Sequence, residues 1–241
     1  MLNNINWKAA GVAIPVFSLR SKKSFGTGEF IDLKLLVDLA KAIGLKMIQL
    51  LPVNDTTATY TWKDSYPYSA ISAFALHPLL LNLEMVAGKE HAATVSVLAP
   101  QKKRLNQLDK LDYEEVMKIK MAAIRELFTL KKDSFRDDLK YIAFFELNRH
   151  WLEPYAAFAY LRDTYKTADF NVWKMHAVFD EHEIQELISP SRKQYDEISF
   201  HYFTQYHLHL QLKAATEYAH KNGVIIKGDI PIGICRNSVD A

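Results

Sequence analysis

Residues 60–78, YTWKDSYPYSAISAFALHP, place Tyr60, Trp62, Tyr66 and Tyr68 around Asp64 and Ser65. Connections between elements favour small polar residues, so this concentration of rings asks for a role. Two roles fit. The rings pack on the protein's own core and cap one end of it, or they form a surface for something flat and hydroxylated. In the second case Ser and Asp supply hydrogen bonds to the hydroxyls. A second chemistry-bearing stretch is GDIPIGI, where Asp229 follows an apolar run. Alone, Asp229 serves equally as a helix cap or as a partner for Lys227 or Arg236. Asn54 and Asp55 also follow an apolar run, and turn formation is their ordinary use.

His201, His207 and His209 invite a metal, but on a helix positions i and i+2 point apart. No cysteine cluster or acidic triad accompanies them. They read as a packed or solvated helix face. Trp151 and Trp173 lie in helical sequence and read as core. Cys235 is the single cysteine, so an internal disulfide is excluded and a reducing compartment suits the chain.

The 241 residues carry 30 basic and 28 acidic side chains, a net charge of +2. That balance gives no electrostatic reason to expect nucleic acid or an anionic membrane as partner. The opening MLNNINWKAAGVAIPVFSL has one Lys and a proline within its apolar part, a poor match to a signal peptide. No stretch has the length and apolarity of a bilayer span. The expectation is a soluble cytoplasmic protein.

These residues need elements to position them. Three nearly continuous apolar runs read as strands of a parallel sheet covered on both faces: residues 11–19, 46–53 and 223–234. A helix between the first two carries Phe30, Leu33, Leu36, Val37, Ala40 and Ile43 at helical spacing, with Gly44 to close it. Another, over residues 202–222, repeats the pattern with Phe203, Tyr206, Leu210, Ala214 and Tyr218, and Gly223 stops it. From Leu83 to Phe200 the character turns mostly helical. DYEEVMKIKMAAIRELF carries the stripe Val116, Ile119, Ala123, Ile124 and Leu127, and Asp112 with Glu115 resembles a capping box. SFRDDLKYIAFFELNRHWL reads as a further helix broken before Pro154. A closed barrel of eight βα units takes about 250 residues. With the helical stretch set aside, the remainder suffices for about half of one.

GVAIPVFSLRSKKSFGTGEF, IQLLPVNDT, DSYPYSAISAFALHPLLLNLE, HWLEPYAAFAYLRD and HKNGVIIKGDIPIGICRNSVDA occur in this order. Together they closely resemble the N-terminal part of the catalytic domain of the 4-alpha-glucanotransferases (amylomaltases, or disproportionating enzymes). The form of the aromatic loop and of GDIPIGICRNSVD is most similar to the branch containing the plant cytosolic disproportionating enzyme.

The resemblance implies an α/β fold. It is a partial TIM (β/α)8 barrel, its first three strands, with a large helical insertion. Residues 1–84 would be the first βα units, 85–200 the insertion, and 201–241 a helix with the third barrel strand. It implies transfer of α-1,4-glucan segments to glucose or another glucan by a retaining mechanism, which uses two carboxyl groups. In the family these come from later strands, so no catalytic residue is expected up to Ala241, and the chain reads as a fragment inactive alone. Sugar rings have apolar faces for aromatic side chains and hydroxyl rims for Ser and Asp. By resemblance Ser65 and Tyr68 match sugar-contacting positions, and the extra Tyr66 of this sequence allows Tyr66 to fill the Tyr role instead. Asp229 matches the Asp that contacts the active-site sugar. The resemblance implies an α-1,4-glucan or maltooligosaccharide as partner and no cofactor or metal. Self-association of the exposed half barrel is expected. An α-amylase-type hydrolase and a non-catalytic glucan-binding piece are the alternatives.

Overall fold

Each of the three predicted strands contains a proline, and each observed strand stops short of it. The computed structural model describes residues 8–233 and 235–241. Residues 1–7, the front of the segment weighed as a leader, lie outside the described residues, as does Ile234, the predicted end of the third strand. Strand β1 is Gly11–Ile14, ahead of Pro15. Strand β2 is Met47–Leu50, ahead of Pro52, and strand β3 is Ile225–Lys227, ahead of Pro231. Proline cannot donate to the ladder, so Pro15, directly after Ile14, ends β1, whereas β2 stops two residues before Pro52 and β3 four before Pro231. The residues past each strand run on as loops. The pairing is parallel throughout, in the order β1-β2-β3, with Gly11 opposite Met47 and Met47 opposite Ile225.

Helix α1, Leu33–Ala42, joins β1 to β2. A short 3-10 turn, Phe30–Asp32, occupies the predicted first turn of that helix. Phe30, Leu33, Val37 and Ala40 are buried as the periodicity requires, but Ile43 is 62 % exposed, and so are Leu35 (58 %) and Leu39 (54 %) on the outer flank. The sheet is likewise covered unevenly. Ile48 and Leu50 of β2 are buried, while Met47 and Gln49 on the opposite face are only half-buried. A sheet buried on both faces was expected; the described residues cover mainly one.

Six helices separate β2 from the last helix: α2 (Leu83–Ala87), α3 (Ala92–Ser96), α4 (Ala99–Asn106), α5 (Tyr113–Arg136), α6 (Leu139–Tyr165) and α7 (Glu181–Leu187). Asp112 caps α5 by accepting from the Glu115 N–H at 3.1 Å, while the Glu115 carboxylate pairs with Arg104 at 3.0 Å. Only half of a capping box is therefore made. The long α5 and α6 divide at Asp138, which caps α6 through the Lys140 N–H. No break occurs at Pro154, contrary to the sequence expectation. Proline costs the helix the bond to the residue four back, here His150, which is exposed, so water can serve its carbonyl. Packing along α8 (Tyr195–Lys221) holds the two halves of α6 in line.

Helix α8 is buried on every side from residue 198 to 206 and amphipathic after that, through Leu208, Gln211, Ala215 and Ala219. Gly223, at φ +70, turns the chain into β3 in a left-handed conformation that favours glycine. One buried ion pair ties α5 to the start of α1. Lys120 donates to Glu29 at 2.6 Å and to the Leu79 carbonyl at 2.6 Å, while Asn82 donates to the other Glu29 oxygen. Burial pushes the Glu29 carboxyl up and the Lys120 ammonium down, and their contact opposes both shifts.

Candidate functional site

The aromatic loop begins where Pro52 ends β2, and its first polar residues all turn inward. Asn54 donates to the carbonyls of Ser72 (3.3 Å) and Ala73 (2.7 Å) and pairs with Leu76 in a single antiparallel bridge. Asp55 accepts from the Thr57 N–H at 2.9 Å and from the Tyr155 hydroxyl at 2.7 Å. Only the Thr57 contact is the local turn expected of the two residues; Asn54 ties the two ends of the loop together and Asp55 ties the loop to α6. Asp64 is buried too. It accepts from the N–H groups of Thr59 (2.9 Å) and Tyr60 (2.6 Å) and from the Thr59 hydroxyl (2.9 Å). The carboxylate that sequence reasoning offered to a hydroxylated ligand is instead the hub of the turn. It sits across from Tyr60, whose φ of +58 is unusual for a bulky residue.

The next residues face outward. Ser65 is exposed and donates to the Trp62 carbonyl at 2.6 Å, leaving its oxygen free to accept. Trp62 and Tyr66 are 67 % and 61 % exposed. The Tyr66 and Tyr68 rings lie 5.7 Å apart at 49°. Tyr68 is half-buried, and its hydroxyl donates to Asp229 Oδ2 at 3.1 Å. That bond to a carboxylate raises the Tyr68 pKa, because it favours the protonated phenol. Asp229 lies just beyond β3, so the loop that follows β2 meets the end of β3 through this pair.

The two loops are also joined through the backbone. A Cβ at Gly233 would stand 2.6 Å from the Tyr68 carbonyl oxygen, so only glycine fits that approach. Further on, Cys235 N–H donates to Ala70 O (3.4 Å), Val239 N–H to Ile71 O (3.0 Å) and the Ala73 N–H to Asp240 (2.5 Å). The result is a shallow surface of rings, hydroxyls and one carboxylate at the C-terminal ends of parallel strands, where barrel sites lie. The hydrogen bonds of Asp229 among the described residues are to Tyr68 and to its own neighbour Ile230.

Helices α6 and α8 hold this loop from behind, through residues that periodicity did not single out. Arg162 is buried and donates to the Thr57 carbonyl (2.7 Å), the Tyr60 hydroxyl (2.7 Å) and Asp163 (2.9 Å). The Tyr60 hydroxyl in turn donates to Asp163 at 2.9 Å. Burial would raise Asp163, but Arg162 and His201 beside it hold its carboxyl below the usual range. Gln205 both donates to and accepts from the Leu76 backbone at 2.8 Å. The only sequence signal for these groups was an adjacent Arg-Asp pair in the otherwise apolar AYLRD run.

Tyr60 is thus a packing residue, its ring beneath the Arg162 guanidinium at 5.0 Å. Trp173 is buried against Phe158 and stacks on Tyr165. Burial lowers the buried His201 to about 4 and the half-buried His207 to about 3, so both are neutral near pH 7. Among the described residues no three His, Cys, Asp or Glu side chains form a group suited to a metal ion.

The model of the 4-alpha-glucanotransferase family matches residues 14–241. The 4-alpha-glucanotransferase DPE2 of Oryza sativa subsp. japonica is 44 % identical over 234 residues, which cover 97 % of this chain and 25 % of that protein. The 4-alpha-glucanotransferase of Chlamydia muridarum is 31 % identical over 231 residues, covering 95 % of this chain and 42 % of the relative. In three dimensions the chain resembles the amylomaltase of Streptococcus agalactiae, solved in complex with acarbose, with a TM-score of 0.76 at 20 % identity, over 97 % of this chain and 45 % of that one. The chain therefore spans a quarter to less than half the length of these proteins. A parallel three-stranded sheet in a mostly helical chain with the amylomaltase fold, and a family match running through both the aromatic loop and the Asp229 segment, place this chain in the 4-alpha-glucanotransferase family.

Proposed function

We propose that the protein to which this chain belongs transfers segments of α-1,4-glucan to the free end of glucose or another glucan, with retention, and that this chain supplies part of the sugar-contact surface. The observation that carries the reading is the Tyr68–Asp229 hydrogen bond, which unites two family motifs 161 residues apart at one end of the sheet. Tyr66 and Tyr68 cover the apolar face of a glucose ring. Asp229 and Ser65 bind its hydroxyls. The tilt between the rings lets one face the sugar while the other borders it.

Retaining transfer needs a nucleophile and an acid/base about 5–5.5 Å apart. We assign both to residues outside this chain and give Asp229 the role of binding the reacting sugar. The strand order β1-β2-β3, with α1 and α8 on one face, supports reading the chain as the opening strands of a (β/α)8 barrel. On this reading residues 1–84 are the first βα units, 85–200 the helical insertion, and 201–241 a helix with the third barrel strand. No helix among the described residues is long and apolar enough to cross a membrane. A cytoplasmic location agrees with the lone cysteine.

The deciding experiment incubates the full-length protein with maltotriose and separates the products. Glucose together with oligomers longer than the substrate establishes transfer. Glucose and maltose alone establish a hydrolase and overturn the proposal.

A further inference from the structure

The helical insertion contributes a buried cation to a loop that otherwise belongs to the sheet. Arg162 commits each of its three nitrogens there: Nη1 to the Thr57 carbonyl, Nη2 to the Tyr60 hydroxyl, and Nε to Asp163, which also holds Tyr60. Tyr60 has positive φ, and its N–H donates to Asp64 at 2.6 Å. Asp64 directly precedes Ser65. Three residues further on stands Tyr68. A path of short, charge-assisted contacts therefore runs from α6 to the exposed side chains. Arg162 itself is 3 % exposed and lies behind the loop.

Stability alone does not call for this arrangement. A buried ionic cluster is often replaceable by apolar packing at no loss of stability, whereas a planar fork of donors fixes one geometry. The cluster is spent on a backbone carbonyl and on a residue held in an uncommon backbone conformation, which is where conformational specificity has value. We propose that Arg162 is a positioning residue: it holds residues 57–64 in the one conformation that presents Ser65, Tyr66 and Tyr68 to the glucan, so the insertion sets the shape of the sugar surface without touching the sugar. The sugar part of this statement rests on the glucan-contact reading above. The clamp itself does not.

Lys63 is exposed on the turn spanned by the Asp64 contacts, and lysyl endopeptidase cutting at Lys63–Asp64 reports its release. In the full-length protein, Arg162→Met should speed that cut roughly ten- to a hundredfold, the factor for losing a hydrogen bond to a charged group. The rate should not depend on low urea, the mark of local opening and not of global unfolding. Arg162→Lys reaches one acceptor in place of three and should recover only part of the protection. Tyr60→Phe keeps the ring and removes the shared hydroxyl. It should give an intermediate rate, and it carries the test if Arg162→Met does not fold. Maltotriose should slow the cut in the wild type, and more sugar should be needed in the variants. Unchanged cutting in both Arg162→Met and Tyr60→Phe, or cutting that tracks global unfolding in urea, overturns the clamp. If the variants are cut faster but maltotriose protects neither them nor the wild type, the glucan reading fails and the clamp stands.

Discussion

Asp229 is the side chain on which the proposed chemistry turns. Asp229→Ala in the full-length protein should lower turnover of maltotriose about 10²–10³-fold, the range for removing one preorganised polar contact to a reacting centre. Tyr68→Phe removes the donor to Asp229 while keeping the ring, and should lose about tenfold or less, as for one ordinary hydrogen bond. Product chromatography over time measures both, and an unaffected Asp229→Ala variant removes Asp229 from the site. His201 and His207 predict a pH dependence of stability. Unfolded, they take up protons near the ordinary 6.5; folded, His201 resists until about 4 and His207 until about 3. The unfolded state therefore binds more protons between those values, so stability falls as pH drops from 6.5 and levels off below the folded values. Urea midpoints from pH 7 to 4 should decline, and His207→Phe should flatten the decline. A pH-independent midpoint would show that neither ring is held neutral by the fold. At this scale the sequence disclosed residue types well and their directions poorly. Asp64 and Ser65 are neighbours, both polar and both suited to a turn or to a hydroxylated ligand, yet one is the buried hub of the turn and the other faces solvent. Nothing in composition distinguishes them, because the difference depends on the positive φ at Tyr60 and on Arg162, far along the chain.

Among the elements, the ion pair between α5 and the start of α1 offers the sharpest test of packing. Lys120→Met strands Glu29 in the core and should cost about 3–5 kcal/mol, read as a lower urea midpoint. Adding Glu29→Leu should recover much of that, since both charges are then gone. Recovery would show the pair fixes geometry more than it adds stability; a double variant no better than the single would show the opposite. Helices were the most legible elements, because the buried stripes of α1 and α5 are set by periodicity alone. Leu33, Val37 and Ala40 are all buried, as are Val116, Ile124 and Leu127. Apolar runs outlast the strands: they continue past Pro15, Pro52 and Pro231, whereas pairing ends at Ile14, Leu50 and Lys227. Pro154 misled in the other direction. A proline's local penalty is fixed, while the packing of α6 along α8 that outweighs it is tertiary and invisible to a local reading.

For the whole molecule, the uncovered surfaces argue about behaviour in isolation. Among the described residues both outer strands of the sheet have an unpaired edge, and Leu35 and Leu39 of α1 form an exposed stripe with Ile43 at its end. Open edges and contiguous apolar patches promote association. The 241-residue chain alone should self-associate, seen as a mass in light scattering that grows with concentration; a monomer at high concentration would count against this. It should also fail to disproportionate maltooligosaccharides, because on the proposed reading both catalytic carboxyl groups lie elsewhere. Transfer by the short chain would place a catalytic pair within it. The stitching of the loop after β2 to Arg162 and to the residues beyond β3 bears on how the protein is made. On a ribosome the ring-bearing segment emerges long before its distant fasteners Arg162, Asp229 and Asp240. At about 5–20 residues per second, synthesis must continue for on the order of ten seconds or more before Asp229 and Asp240 follow it out. Throughout that interval the nascent loop is sticky and unfastened, so slowing or pausing translation inside the insertion should lengthen its dependence on chaperones, while the finished protein, once closed, is indifferent to how long it waited.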